Sequence, residues 1–289
     1  MPTAGSLIQD VRRLFGDPDG EWLSDTIGLE FMTIAQERFC HKVMPIDEVK
    51  DYVLEARIQR LDLPGNYLQV IRVSYLKDMS HILEPEAPAE FERIQASWPN
   101  GIGRPSMYTI FRRQLVMGPQ APASPSASAL ASGNHSSTAS TIAASTASGR
   151  FRSRGWLYNA STGEVMEYAS ISTSQIGMLT RGVHGTPQAS VSSNARLQQV
   201  DVQMFYRAVA TNVTATTQTP EIPTMFHHYL KMYMLYRAWL ARGDAQKAQV
   251  AYNEFTEMEK DAQQTVSQRM LEPMTIKDRR SQTFGGRYW

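Results

Sequence analysis

Catalysis or tight ligand binding needs convergent nucleophiles, carboxylates or metal ligands, and in this sequence the side chains able to supply them are few and scattered. The six histidines are His41, His81, His135, His184, His227 and His228, with no paired cysteine and no His-x-x-x-His spacing. Adjacent His227 and His228 fall on different faces of any helix that carries them, so no zinc site is expected. Gly182-Val183-His184-Gly185-Thr186 is rich in glycine, but no Gly-Lys-Ser/Thr follows, and lysine is absent from Asp78 through Leu230. A phosphate cradle of the nucleotide-binding kind is therefore excluded. No Gly-x-Ser-x-Gly elbow occurs, and Cys40 lies in a helical pattern where a buried, inert thiol is expected. Glu84, Glu86, Glu90 and Glu92 cluster near a helix start, where the helix dipole favours a solvated acidic face. A cell-wall hydrolase would have to draw on Glu164, Glu167 and Asp201. The sequence points to no enzyme, no metal and no cofactor.

Two further sets of residues read as contact chemistry. The stretch Lys277 to Trp289 has no helical period, carries four basic side chains against Asp278, and ends in aromatics. Lys277, Arg279, Arg280, Phe284, Arg287, Tyr288 and Trp289 are the anchor types that dock a peptide into a partner. In the helical run from Phe226 to Trp239, Met225, Met232, Met234, Tyr236 and Trp239 together nearly encircle the axis. A helix apolar almost all round needs more than one neighbour, which makes Met225, Met232, Met234 and Trp239 candidates for subunit contact.

These residues sit in a chain of 289, with 29 Lys+Arg against 28 Asp+Glu and 42% hydrophobic residues. That is the balance of a globular protein with enough apolar material for a core, at a length suggesting about two domains. The near-zero net charge excludes histone-like, polybasic nucleic-acid binding. No run of about 18 apolar residues is present, so no membrane span is expected. The N-terminus lacks the basic flank and apolar stretch of a signal peptide, and one cysteine cannot form an intrachain disulfide. The charge is unevenly placed: no Asp or Glu occurs from Arg93 through Gly163, which carries seven arginines including Arg104, Arg112, Arg113 and Arg154.

The elements follow from periodicity. Leu7, Ile8, Val11, Leu14 and Phe15 recur at helical spacing up to Gly16, and Ser24 or Asp25 caps a second helix that ends before Pro45. Alternation from Tyr52 to Ile58 predicts a strand, and so do Tyr67 to Lys77, Met107 to Phe111 and Gln114 to Met117. A short helix falls between Pro85 and Ala96. Ser124 to Ser148, almost wholly Ser, Thr and Ala, offers little apolar burial against backbone entropy and reads as a flexible linker, with a hidden strand pair as the alternative. Trp156 to Tyr168 is a hairpin about an Asn/Gly turn, Ser170 to Gln199 a small all-β region, and Val202 to Ala210 a strand returning to the first sheet. Two helices joined at Gly243-Asp244 form an antiparallel hairpin. The fold class expected is α+β: a bundle of N- and C-terminal helices with a small antiparallel sheet, plus an inserted all-β domain. The expected division is 1–120 with 202–272 as the core, 121–201 as linker and insertion, and 273–289 as an extended tail.

The order of Leu7-Ile8-Gln9-Asp10-Val11-Arg12, the loop Asp17 to Asp25, Leu61-Asp62-Leu63-Pro64, Tyr108 to Pro119, Val202 to Ala210, Pro220-Glu221-Ile222-Pro223 and the helical hairpin resembles the head-to-tail connector, or adaptor, proteins of tailed bacteriophages. The resemblance covers about 1–120 and 202–289; the insertion between them departs from the family's minimal pattern. It implies a structural virion protein of the neck, assembled in the host cytoplasm, in which twelve copies form a ring that joins the portal to the tail. The ring leaves a channel for DNA, with transient contact to it, and the tail residues above become the portal anchor. The insertion would then face a neighbouring subunit, fibre or other tail component. Leu179 to Pro187 is also similar to a phrase in phage baseplate and neck proteins. The alternative function is a receptor- or carbohydrate-binding virion protein acting through the central β region.

Overall fold

A computed structural model describes residues 1–54, 60–76, 81–97, 102–120, 127–145 and 151–271, with side chains to residue 266. The helices are α1 (Ala4–Phe15), α2 (Asp25–Val43), α3 (Pro88–Ala96), α4 (His227–Arg242) and α5 (Ala245–Leu271). The chain divides into two compact units, one of residues 1–46 with 208–289 and one of residues 47–207. The fold is α+β, with a β-rich insert. The contact division falls at 46/47 and 207/208, whereas sequence composition shifts near Ala121 and Asp201.

In the first unit the four long helices form the bundle. Leu7, Ile8, Val11 and Phe15 of α1 are buried, each worth roughly 1.5–3 kcal/mol. Thr3 caps α1 by accepting from the Ser6 N–H, and left-handed Gly16 closes it. The loop to α2 is organised by Asp17, whose carboxylate accepts the backbone N–H groups of Leu23, Trp22 and Glu21 at 2.8, 3.0 and 3.0 Å. The Leu23 bond above all holds that carboxyl below the usual carboxylate range. Ser24 then caps α2, and Gly28 lets α2 pass close to α1, since a Cβ there would stand 2.9 Å from the Ile8 side chain. The centre of the bundle is aromatic: Phe39 packs on Tyr229 (centroids 4.6 Å apart) and Phe255 on Tyr233 (5.3 Å). Asp244 caps α5 through the Lys247 N–H at 3.1 Å, as the Gly243-Asp244 spacing predicts.

The second unit is built from strands. The first are β1 (Asp47–Tyr52), β2 (Arg60–Asp62), β3 (Tyr67–Tyr75), β4 (His81–Ile82), β5 (Glu84–Pro85), β6 (Met107–Phe111) and β7 (Gln114–Gly118). The insertion supplies β8 (Ser128–Ala131), β9 (Thr141–Ser145), β10 (Gly155–Asn159), β11 (Val165–Tyr168), β12 (Ser170–Ile171), β13 (Gln175–Gly177) and β14 (Arg196–Gln199), before β15 (Val202–Ala208). Three sheets result, ordered β1-β15-β3-β4, β2-β7-β6-β5 and β11-β10-β14-β8-β9-β13-β12. As expected from its alternation, β15 returns to the first sheet, antiparallel to β1 with Asp47 opposite Arg207 and Tyr52 opposite Val202.

Two expectations are corrected. The strand predicted from Tyr52 instead ends there: β1 is an edge strand whose residues other than Tyr52 are not buried, so its Asp47-Glu48-Val49-Lys50-Asp51 carries no apolar alternation to read. Residues 55–59, in the second half of the predicted strand, lie outside those described. The stretch read as a flexible linker contains β8 and β9, which pair with each other through Leu130–Ser145 and Ala131–Ala144. Their inward residues are small, Ala127, Ala129, Ala131 and Ala144 with Ile142, and the volume they leave is filled by Phe151, Leu157, Met166 and Tyr168. Alanine is sufficient where the facing side chains are large, which is why the segment looked too poor in apolar groups to fold.

Candidate functional site

The bundle and the insertion each gather residues singled out above. Met232, Met234 and Trp239 are buried by the chain's own helices; Trp239 packs against Phe15 with centroids 4.5 Å apart and the rings tilted by 55°. Met225 is 58% exposed and borders a groove of about 240 Å³ with Phe226, His228, Tyr229 and, from α5, Met258, Asp261, Ala262 and Thr265. Where α1 and α4 end and α5 begins, Leu14, Leu240 and Val250 are also exposed. The tail residues Lys277, Arg279, Arg280, Phe284, Arg287, Tyr288 and Trp289 lie outside the described residues.

In the insertion, the residues weighed for hydrolysis are not brought together as an acid/base pair. Glu164 is fully buried and accepts Arg181 Nε (2.8 Å) and Nη2 (2.6 Å), together with the backbone N–H groups of Gly182 and Ala189 at 3.2 Å each. Arg181 Nη1 reaches the Ser136 carbonyl at 2.9 Å and Nη2 the Ala189 carbonyl. This forked pair, with two further arginine protons donated to backbone carbonyls, ties the 134–136 loop, the β10–β11 hairpin and the 181–189 loop together. Glu167 is exposed on β11, and Asp201 is buried and accepts the Leu54 N–H at 3.1 Å. The glycine-rich turn is likewise structural. His184, left-handed at φ 56°, places Nδ1 2.5 Å from Asp51 Oδ2 on β1, and Asp51 Oδ1 accepts from Gln203 at 2.9 Å. The turn thereby lies against edge strand β1, which limits that edge for further pairing.

The remaining candidates take separate partners. His227 Nε2 lies 2.9 Å from the Ile222 carbonyl, His228 pairs with Glu254 at 3.2 Å, and His135 faces the Ser132 carbonyl. Among the described residues no group of three or more His, Cys, Asp or Glu could hold a metal ion. Cys40 is fully buried, and burial pushes its thiol up to about 11. Glu90 pairs with Arg93 one helical turn away on α3, a solvated contact, and that hydrogen bond lowers its carboxyl.

One feature escaped the sequence reading. The β6–β7 hairpin turns through Arg112 and Arg113, both left-handed at φ 49° and 62°. Two-residue turns with both centres left-handed are the province of Asn-Gly and Asp-Gly. For ordinary residues the conformation costs about 1–2 kcal/mol each. The spacing of the two predicted strands already left only these two residues between them, so the signal was the arginine identity at a turn that calls for glycine.

Among curated proteins, none matches this chain. The family model described as SU10 adaptor protein matches residues 2–277, nearly the whole length. The match runs across both units, from before α1 to beyond α5. The helical bundle from both ends of the sequence, the small sheets and the β-rich insert are thus the architecture of a bacteriophage adaptor, and the chain belongs to the SU10 adaptor protein family.

Proposed function

We propose that this protein is a neck component of the virion, assembled in the host cytoplasm, in which copies close into a twelve-fold ring that joins the portal to the tail and leaves a channel for DNA. The observation that carries the reading is the family match over residues 2–277. Two structural features support it. The bundle buries its own core yet exposes Leu14, Met225, Leu240 and Val250, apolar side chains that a head-to-tail contact between copies would cover. The sheets are open and end in edge strands such as β4, β5 and β12, which a closed ring would shelter. Met225 is the subunit-contact candidate that intrachain packing leaves available; Met232, Met234 and Trp239 would act by holding α4 rigid behind it. The tail from Lys277 to Trp289 is the portal anchor, and the β insertion faces fibre or other tail proteins.

The anchor is tested by deleting residues 277–289 and measuring binding to purified portal. Binding should be lost while the circular dichroism and thermal midpoint of the remaining chain are kept. Retained binding by the truncated chain rules the anchor out.

A further inference from the structure

The left-handed Arg112-Arg113 turn is chemically specific in a way its position in the sheet does not require. Phe111 pairs with Gln114 across it, so the backbone demands are those of Asn-Gly, yet two cations stand there. The Arg112 guanidinium lies 5.1 Å over the Phe111 ring, and Phe111 itself is 45% exposed. Arg113 Nη2 donates to the Gly65 carbonyl at 3.0 Å, which steadies the side chain without neutralising it. Among the described residues no carboxylate forms an ion pair with either arginine, and Asp62, the acid nearest in register, accepts from Gln114 at 2.9 Å. The sequence around the turn is free of acid from Arg93 through Gly163. Backbone strain retained at exposed, uncompensated charge points to a ligand for that charge.

We propose that the Phe111–Arg113 tip is a contact element for the phosphate backbone of duplex DNA. Size decides between DNA and an acidic protein: a stable protein interface buries about 800 Å² per partner, far beyond a two-residue turn, whereas a phosphate contact needs only a guanidinium and no pocket. A contact to phosphate carries no base information, so it is independent of sequence, and with two guanidinium groups it is weak in each copy. Weak contact suits DNA that must pass. The inference rests on the ring reading only for where such DNA would be met; the contact itself belongs to the chain.

The test is fluorescence anisotropy of a labelled duplex titrated with the full chain, with the mass of the same sample read alongside. Between about 50 and 200 mM salt, two phosphate contacts should weaken binding about tenfold for each engaged copy. The double variant Arg112→Asn with Arg113→Gly keeps a turn of the favoured type, so it should fold at least as well as the parent and lose both the binding and that salt dependence. Arg154→Ala, at another exposed arginine of the same acid-free stretch, should change neither. The proposal is overturned if the parent does not bind duplex at the lower salt, if the double variant binds as well as the parent, if Arg154→Ala costs as much, or if poly-glutamate is bound as tightly as DNA. A sample that binds DNA through the tip but shows no ring would sink the ring and leave the tip standing; a ring that ignores DNA would do the reverse.

Discussion

At the scale of single residues, burial decides which polar groups are fixed in structure and which remain free for partners. Arg181 and Glu164 are the clearest fixed pair: both are buried, forked to each other and held by backbone groups of the surrounding loops. Removing one partner leaves an uncompensated buried charge, so Arg181→Ala should destabilise the β-rich unit by about 3–5 kcal/mol in chemical denaturation, and the double replacement Arg181→Met with Glu164→Leu by much less. Cys40 is fixed in another sense. Its thiol is raised to about 11 by burial, so an alkylating agent at pH 8 should leave it untouched in the folded chain and modify it on unfolding. Asp17 gives a dependence on acid. Its folded carboxyl titrates below the unfolded one, so its support for the α1–α2 loop is present above the ordinary aspartate range and is lost as pH falls through the depressed value. Hydrogen exchange at the Leu23 amide should report that loss, and Asp17→Asn should show weakened protection already at neutral pH. Of these roles only that of Cys40 was visible in the sequence. Cys40 was legible because a lone cysteine in an apolar helical pattern is buried by default; Arg181 and Glu164 were not, because the groups that satisfy them come from three segments distant in sequence.

At the scale of elements, legibility followed the strength of the period. The bundle helices announce themselves through apolar spacing and through caps such as Ser24, Gly16, Gly243 and Asp244, and they form where those signals lie. Strand β1 escaped because an edge strand needs no apolar face, and β8 and β9 were legible only as the alternative to a linker because alanine satisfies a core whose bulk comes from facing strands. Helix packing adds a test of its own. Gly28→Ala would put a methyl group 2.9 Å from three Ile8 side-chain carbons, so that side chain or the helix must shift, and should cost about 1–3 kcal/mol. Pairing it with Ile8→Ala should recover part of the loss if the steric reading is right. If Gly28→Ala alone leaves the thermal midpoint unchanged, the close approach of α1 and α2 is not a constraint.

At the scale of the whole molecule, the sequence carried the fold class and the family, because both depend on the order of elements rather than on any one of them. What it could not carry is which surface meets which partner. The groove beside Met225 is composed of residues from the turn before α4, from α4 and from α5 that only the folded bundle assembles, and the Arg112-Arg113 tip is distinguished by backbone conformation, which no composition records. The central claim is that copies of this chain close into a ring that receives the portal. It is tested most directly by native mass measurement and electron microscopy of the purified full chain, alone and with portal. The account predicts a closed, twelve-fold ring in complex with the portal. A chain that stays a monomer or small oligomer beside an intact portal contradicts it.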